Sequence, residues 1–148
     1  MRLLLQRVTR AQVRVNRKVV GSIGPGLVAL VGIGHTDDES TVEALARKTV
    51  DLRIFRDEDS KTNLSLADVG GEVLAISQFT LYADTRKGRR PSFLDAAPPE
   101  LGERLYNAFC AAVAARGVKV ERGIFGAEME VELVNDGPMT VWLDSAAG

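Results

Sequence analysis

The sequence predicts an α+β domain: a mostly antiparallel β-sheet or barrel-like layer that carries two main helices. Three observations predict it. Apolar and polar residues alternate in several short stretches, the period of a half-buried strand. Only two segments place apolar residues at three- and four-residue spacing, as an amphipathic helix requires. Turn signals separate these stretches, and no Ser/Pro-rich linker divides the chain, so residues 1–148 read as a single domain.

Each element has its own warrant. Ala11, Val13 and Val15 alternate with Gln12, Arg14 and Asn16. Asn16-Arg17 followed by Lys18-Val19-Val20 predicts a tight hairpin. After the Gly24-Pro25-Gly26 break, residues 27–33 are continuously apolar, which suits a strand buried on both faces. Thr36 with Glu39 is a capping-box pattern, and Val42, Leu45, Ala46, Thr49 and Leu52 then follow a helical period. Residues 57–62 form a polar loop. Residues 73–78 form a strand entered through Gly70-Gly71, and residues 83–92 are polar and basic, hence a loop. Pro98-Pro99-Glu100 opens the second helix, whose stripe is Leu101, Leu105, Ala108, Phe109, Ala112 and Val113. Gly117 is placed to end it. Residues 118–121 are a short strand. Met129, Val131 and Leu133 form a one-sided strand, and Met139, Val141 and Leu143 form the last, with a hairpin loop between them.

Composition excludes several kinds of function. One cysteine, Cys110, rules out an internal disulfide framework and a Cys-rich zinc site. With His35 as the single histidine, one chain cannot build a multi-histidine metal cluster. Nineteen basic and 20 acidic residues give a net charge of −1, so a globally basic coat is excluded while a local basic patch is not. The N-terminal run is too short for a signal peptide, no stretch is long and apolar enough to span a bilayer, and a free cysteine fits a cytoplasmic protein. Gly32-Ile33-Gly34 stands where a dinucleotide loop would, but Asp37 takes the place of the third glycine. Asp57-Glu58-Asp59 starts like a calcium loop, but Lys61 and Thr62 break it. His35 reads as a loop residue, and Cys110, on a helix with no histidine nearby in sequence, as structural.

Three segments retain chemical interest. Ser77-Gln78-Phe79-Thr80 ends a strand, where backbone N–H groups run out of ladder partners and can face an oxyanion. Strand alternation would put Ser77 and Phe79 on one face and Gln78 and Thr80 on the other. Asn135-Asp136-Gly137-Pro138-Met139-Thr140 contains a strong turn signal. Taken alone, each is satisfied by an ordinary turn. Arg86-Lys87-Gly88-Arg89-Arg90 is a dense basic cluster, equally suited to a phosphate backbone or to a solvated loop.

Together these segments resemble the D-aminoacyl-tRNA deacylases. The resemblance runs along essentially the whole chain. It includes the Arg7-Val8 strand, the Lys87-Gly88-Arg89-Arg90-Pro91-Ser92-Phe93 loop and Phe125-Gly126-Ala127-Glu128-Met129. It implies a homodimer in which one subunit supplies Ser77, Gln78, Phe79 and Thr80 to catalysis, while the other inserts Gly137 and Pro138, joined by a cis bond, to select chirality. It implies hydrolysis of D-aminoacyl-tRNA, with glycyl-tRNA as a further substrate. It also implies that Phe125 and Met129 line an adenosine pocket and that Arg7 supports the Gly137-Pro138 turn. Arg86, Lys87, Arg89 and Arg90 would meet the tRNA backbone. No cofactor, metal or membrane is expected. Neither motif supplies a base to activate Thr80, so the expected chemistry is attack by water with backbone N–H groups on the oxyanion and the substrate's ribose hydroxyl assisting proton transfer. The alternatives are a non-catalytic RNA-binding module that uses residues 86–90, and a structural dimerisation domain.

Overall fold

The computed structural model describes residues 1–147. Strands β1 (Arg2–Val15), β2 (Lys18–Ile23) and β3 (Gly26–Gly32) lead into helix α1 (Glu39–Asp51). A small hairpin, β4 (Phe55–Arg56) and β5 (Thr62–Leu64), precedes the single-turn helix α2 (Leu66–Val69). Strand β6 (Glu72–Ser77) runs into a 3₁₀ turn, Phe79–Tyr82. Helix α3 (Pro99–Ala114), β7 (Val120–Arg122) and β8 (Glu130–Asp144) complete the chain, followed by a 3₁₀ turn, Ser145–Ala147.

The sheet order is β2-β1-β3-β6-β7, with β8 on the other edge of β1. β1 pairs antiparallel with β2, β3 and β8, but β3–β6 and β6–β7 are parallel, so the sheet is mixed rather than mostly antiparallel. Helices α1 and α3 provide the long crossovers that parallel pairs require. The sheet nearly closes into a barrel. β2 comes back so close to β7 that a Cβ on Gly21 would lie 2.7 Å from the Arg122 carbonyl oxygen.

Two cores follow from the two faces. Leu3, Leu5, Leu27, Ala29, Val31, Val73 and Ala75 pack with Val42, Leu45, Leu105, Tyr106 and Phe109 under α1 and α3. Val8, Ala11, Val13, Ile23, Val28, Leu74 and Ile76 fill the other side. β1 serves both. Leu3 and Leu5 point to the helices, yet Ala11 and Val13, of the same parity, point the other way. A one-residue slip flips every following side chain, and the register against β8 shifts between Val8 and Arg10.

Some local expectations are corrected. α1 is capped by Asp38, whose carboxylate accepts from the Thr41 amide at 3.0 Å, and not by Thr36. The capping box that does form is Ser65 with Asp68, at α2. The 57–62 loop is the tip of the β4–β5 hairpin. The 118–121 strand lies slightly later, at Val120–Arg122. Pro99 opens α3, and Gly117, with φ of +84°, follows its end as expected.

Residues 129–143 give the largest correction. The two expected strands are one strand, and no hairpin separates them. Both halves of β8 pair with β1, at Gln6↔Thr140 and at Val8↔Asn135. Between those pairs β1 spends one residue, Arg7, while β8 spends 136–139. The Asp-Gly turn signal therefore encodes a wide bulge that pushes Gly137 and Pro138 out of the sheet.

Candidate active site

The ladder holds β6 as far as Gln78, whose amide donates to the Val31 carbonyl at 2.7 Å. The chain then leaves the strand and makes a 3₁₀ turn, so strand alternation does not extend to Phe79 and Thr80. The Leu81 amide donates to Gln78 O at 3.2 Å and the Ala83 amide to Thr80 O at 3.0 Å. The amides of Phe79 and Thr80 begin the turn and have no acceptor among the described residues. The Gln78 side-chain amide donates to the Thr80 hydroxyl.

Several contacts fix this turn. The Arg2 guanidinium donates to Leu81 O at 2.9 Å and lies over the Tyr82 ring, 4.4 Å from its centroid. The same guanidinium donates to Asp144 at 3.2 Å. A Cβ at Gly32 would sit 3.0 Å from the Leu81 Cβ, and one at Gly34 would sit 2.9 Å from the Tyr82 ring. The glycines that mimic a dinucleotide loop thus make room for the 79–82 turn. On the helix side the buried Tyr106 hydroxyl donates to Ala75 O at 2.7 Å, which ties α3 to β6 two residues before Ser77. Burial holds the Tyr106 phenol well above its ordinary pKa, so it remains a donor.

A cavity of about 640 Å³ opens beside the turn, the size of a small-molecule site. Ser77, Gln78, Phe79, Phe125 and Met129 all line it, with Phe93 at its rim. Residues almost fifty positions apart in sequence therefore meet. Gly102 lets Phe125 approach α3: a Cβ there would be 3.6 Å from the Phe125 ring. Met129 lies against Gly123, where a Cβ would come within 2.5 Å of its sulfur.

Thr80, Arg7, Gly137 and Pro138 are not among the lining residues. Arg7 is buried beside the β8 bulge, its side chain 4% exposed. It donates to Ile54 O at 2.6 Å and to Asp136 O at 3.2 Å, and pairs with the Asp136 carboxylate at 3.2 Å. Arg56 grips the same carboxylate through both oxygens, at 3.1 and 2.9 Å. The Arg56 hydrogen bonds, and after them the charges of Arg7 and Arg56, hold the Asp136 carboxyl below its usual range. Asn135 closes the bulge from inside, donating to Arg7 O at 2.9 Å and Met139 O at 3.0 Å and accepting from Gln6 and Thr140. The Gly137-Pro138 bond is cis, and both residues are exposed.

Within one chain the bulge and the cavity stand apart. Arg7 pairs with Leu27 and Leu27 with Val73, so Ser77 lies four residues along β6 and three strands across from β8. At strand spacings that is roughly 15–20 Å.

The basic cluster is an exposed loop whose base is fixed by reciprocal Asp84 and Ser92 backbone bonds of 2.7 and 2.9 Å. Arg86 is occupied: it pairs with Asp84 at 2.8 Å and lowers that carboxyl to about 2. Among the described residues Lys87, Arg89 and Arg90 make no ion pair. His35 is exposed, its Nε2 2.6 Å from Leu94 O, and Cys110 is buried with its thiol pushed up by burial. Neither reaches the cavity lining.

Sequence reasoning missed the supports. Arg56 and the Ile54 carbonyl carried no local signal, because they reach Asp136 and Arg7 through the fold. Arg2 and Tyr82 were equally silent. Asn135 and Asp136 were visible only as turn residues.

Fold and pocket together define a one-domain α+β protein with a barrel-like sheet and a small-molecule-sized pocket at the end of β6. The model of the D-Tyr-tRNA(Tyr) deacylase family matches residues 4–144. The chain is 59% identical over 146 residues to the D-aminoacyl-tRNA deacylase of Thermomicrobium roseum, covering 99% of this chain and 95% of that one. It is 55% identical to the D-aminoacyl-tRNA deacylase of Bacillus velezensis, covering 98% and 99%. A solved chain described as c-Myc DNA unwinding element binding protein superposes with a TM-score of 0.91 at 39% identity, covering 98% and 99%. A probable eukaryotic D-amino acid tRNA deacylase shares the fold, with a TM-score of 0.83 at 21% identity over 96% and 97%. The chain belongs to the D-aminoacyl-tRNA deacylase family.

Proposed function

We propose that this protein hydrolyses the ester joining a D-amino acid to the terminal adenosine of tRNA, and that it does so as a homodimer. The observation that carries the second half is the separation just described. The Gly137-Pro138 bulge is rigidly held and projects from the molecule, yet it lies far from its own chain's cavity. A second copy brings bulge and cavity together. The apolar residues exposed on edge strand β8, Val131, Val134 and Trp142, support a covered edge.

In this reading Phe125 and Met129 hold the adenosine, and the ester carbonyl meets the free amides of Phe79 and Thr80. Water adds to the carbonyl carbon, the amides stabilise the oxyanion, and the carbon–oxygen ester bond then breaks. The departing ribose oxygen takes a proton, with the neighbouring ribose hydroxyl as the relay. Backbone oxygens receive the substrate ammonium. Chirality is read by rejection. Carbonyls of a bulge fixed by Arg7 and Asn135 cannot rotate away from a misplaced side chain, so an L substituent on the α-carbon clashes while a D substituent points elsewhere. Glycine has nothing to reject, so glycyl-tRNA is also cleaved. Lys87, Arg89 and Arg90 meet the tRNA phosphates. Arg86, held by Asp84, contributes mainly by shaping the loop.

The test is ester loss from D-tyrosyl-, L-tyrosyl- and glycyl-tRNA, with and without EDTA. The expected result is fast cleavage of the D and glycyl esters, negligible cleavage of the L ester and no effect of EDTA. Comparable D and L rates would sink chiral selection. Salt-dependent tRNA binding without cleavage would instead favour a non-catalytic RNA-binding module.

A further inference from the structure

Two aromatic rings at the cavity mouth are left over by this mechanism, which uses the backbone of Phe79 and not its side chain. Phe79 is 56% exposed and Phe93 40% exposed. They meet edge to face, with centroids 5.1 Å apart and planes at 76°. Each therefore limits the motion of the other, so a ligand would not have to order them. Leu94, beside them, is 83% exposed. An apolar group of this size at a rim is a contact surface.

Charge indicates what it contacts. The backbone bonds between Asp84 and Ser92 fix the base of the basic loop immediately before Phe93. Lys87, Arg89 and Arg90, exposed and without ion pairs among the described residues, are thereby carried on the loop whose base adjoins the Phe93 ring. Exposed aromatic faces next to exposed cations are the chemistry that binds single-stranded nucleic acid: bases stack on rings while phosphates meet the charges. A second protein chain would bury the rings without needing the cations.

We propose that Phe79 and Phe93 form a stacking platform for the unpaired nucleotides immediately preceding the terminal adenosine. The inference rests on the aminoacyl-tRNA reading and adds a subsite to it. The platform makes the enzyme distinguish a tRNA ester from an ester of adenosine alone.

The experiment compares kcat/KM on D-tyrosyl-tRNA and on D-tyrosyl-adenosine for the wild type, Phe93→Leu and Phe93→Tyr. Phe93→Leu should lower the ratio of the two about tenfold, the scale of one stacked base, mainly through KM for the tRNA ester. Phe93→Tyr should restore it. Equal losses on both esters would assign Phe93 to the adenosine cavity and overturn the platform. An unchanged ratio would do the same. So would a shift of Phe93→Leu toward monomer in sedimentation, which would make the rings part of a subunit contact. If wild-type protein cleaves neither ester, the hydrolase reading falls and the platform with it. If wild-type protein cleaves both and only the ratio fails to move, the platform alone is lost.

Discussion

Arg7 combines burial with full charge, and it is held by the Ile54 and Asp136 carbonyls and the Asp136 carboxylate. Removing one side of such an arrangement leaves the other unpaired in low dielectric, so Arg7→Ala should destabilise the protein by roughly 3 kcal/mol, read as a shift in denaturation midpoint at constant slope. Asp136 adds a pH dependence of known sign. Its carboxyl is depressed in the folded state, chiefly by Arg56. The stability it provides is complete above the ordinary aspartate pKa and is lost as pH falls through the depressed one. Discrimination against L esters should therefore be flat from neutral to mildly acidic pH and decline only in stronger acid; Asp136→Asn should abolish that acid limb. At the reacting end, Ser77→Ala and Thr80→Ala, made separately, should each keep substantial deacylase activity. Loss of an obligatory nucleophile costs on the order of 10⁶ in kcat, so a fall of that size in either would refute the backbone mechanism. The residue types at 77–80 were legible in the sequence. Their geometry was not, because Phe79 and Thr80 leave the strand period for a turn held by Arg2, Gly32 and Gly34.

At the scale of elements, β8 is the informative strand. Asp-Gly between two alternating stretches is the same signal for a hairpin and for a bulge. What separates them is whether both flanks pair with one neighbour, and that is settled by β1, more than a hundred residues away in sequence. Inside the bulge, the Asn135 side-chain amide donates to two carbonyls. Asn135→Ala should cost about 1–2 kcal/mol in stability and raise the rate on the L ester more than the rate on the D ester. An unchanged D/L ratio would show that the bulge keeps its shape without Asn135. The helices were easier to read, since apolar spacing and Pro99 act locally. The capping residue of α1 was displaced by two positions because Thr36, Asp37 and Asp38 are all cap-forming types; Asp37 is held by the Met1 ammonium and the Gly34 amide, and Asp38 accepts from Thr41.

At the scale of the molecule, the prediction concerns which copy supplies which part. Phe79→Pro removes an oxyanion amide, and Pro138→Ala alters the selecting bulge and should weaken chiral discrimination more than it weakens folding. If bulge and cavity come from different subunits, mixing the two variants creates one site with both parts wild type, and selective D-ester cleavage returns. If each chain completes its own site, no wild-type site forms and mixing restores nothing. The sequence alone determined the α+β class, the two main helices, the lack of cysteines for an internal disulfide framework, and the two motifs that carry the family resemblance, because these depend on residue type and short-range period. Tertiary structure alone decided the mixed sheet, the change of core along β1, the single bulged β8 and the convergence of Ser77, Phe125 and Met129 on one cavity. Those depend on register between distant strands, where a shift of one residue reverses which face a side chain occupies.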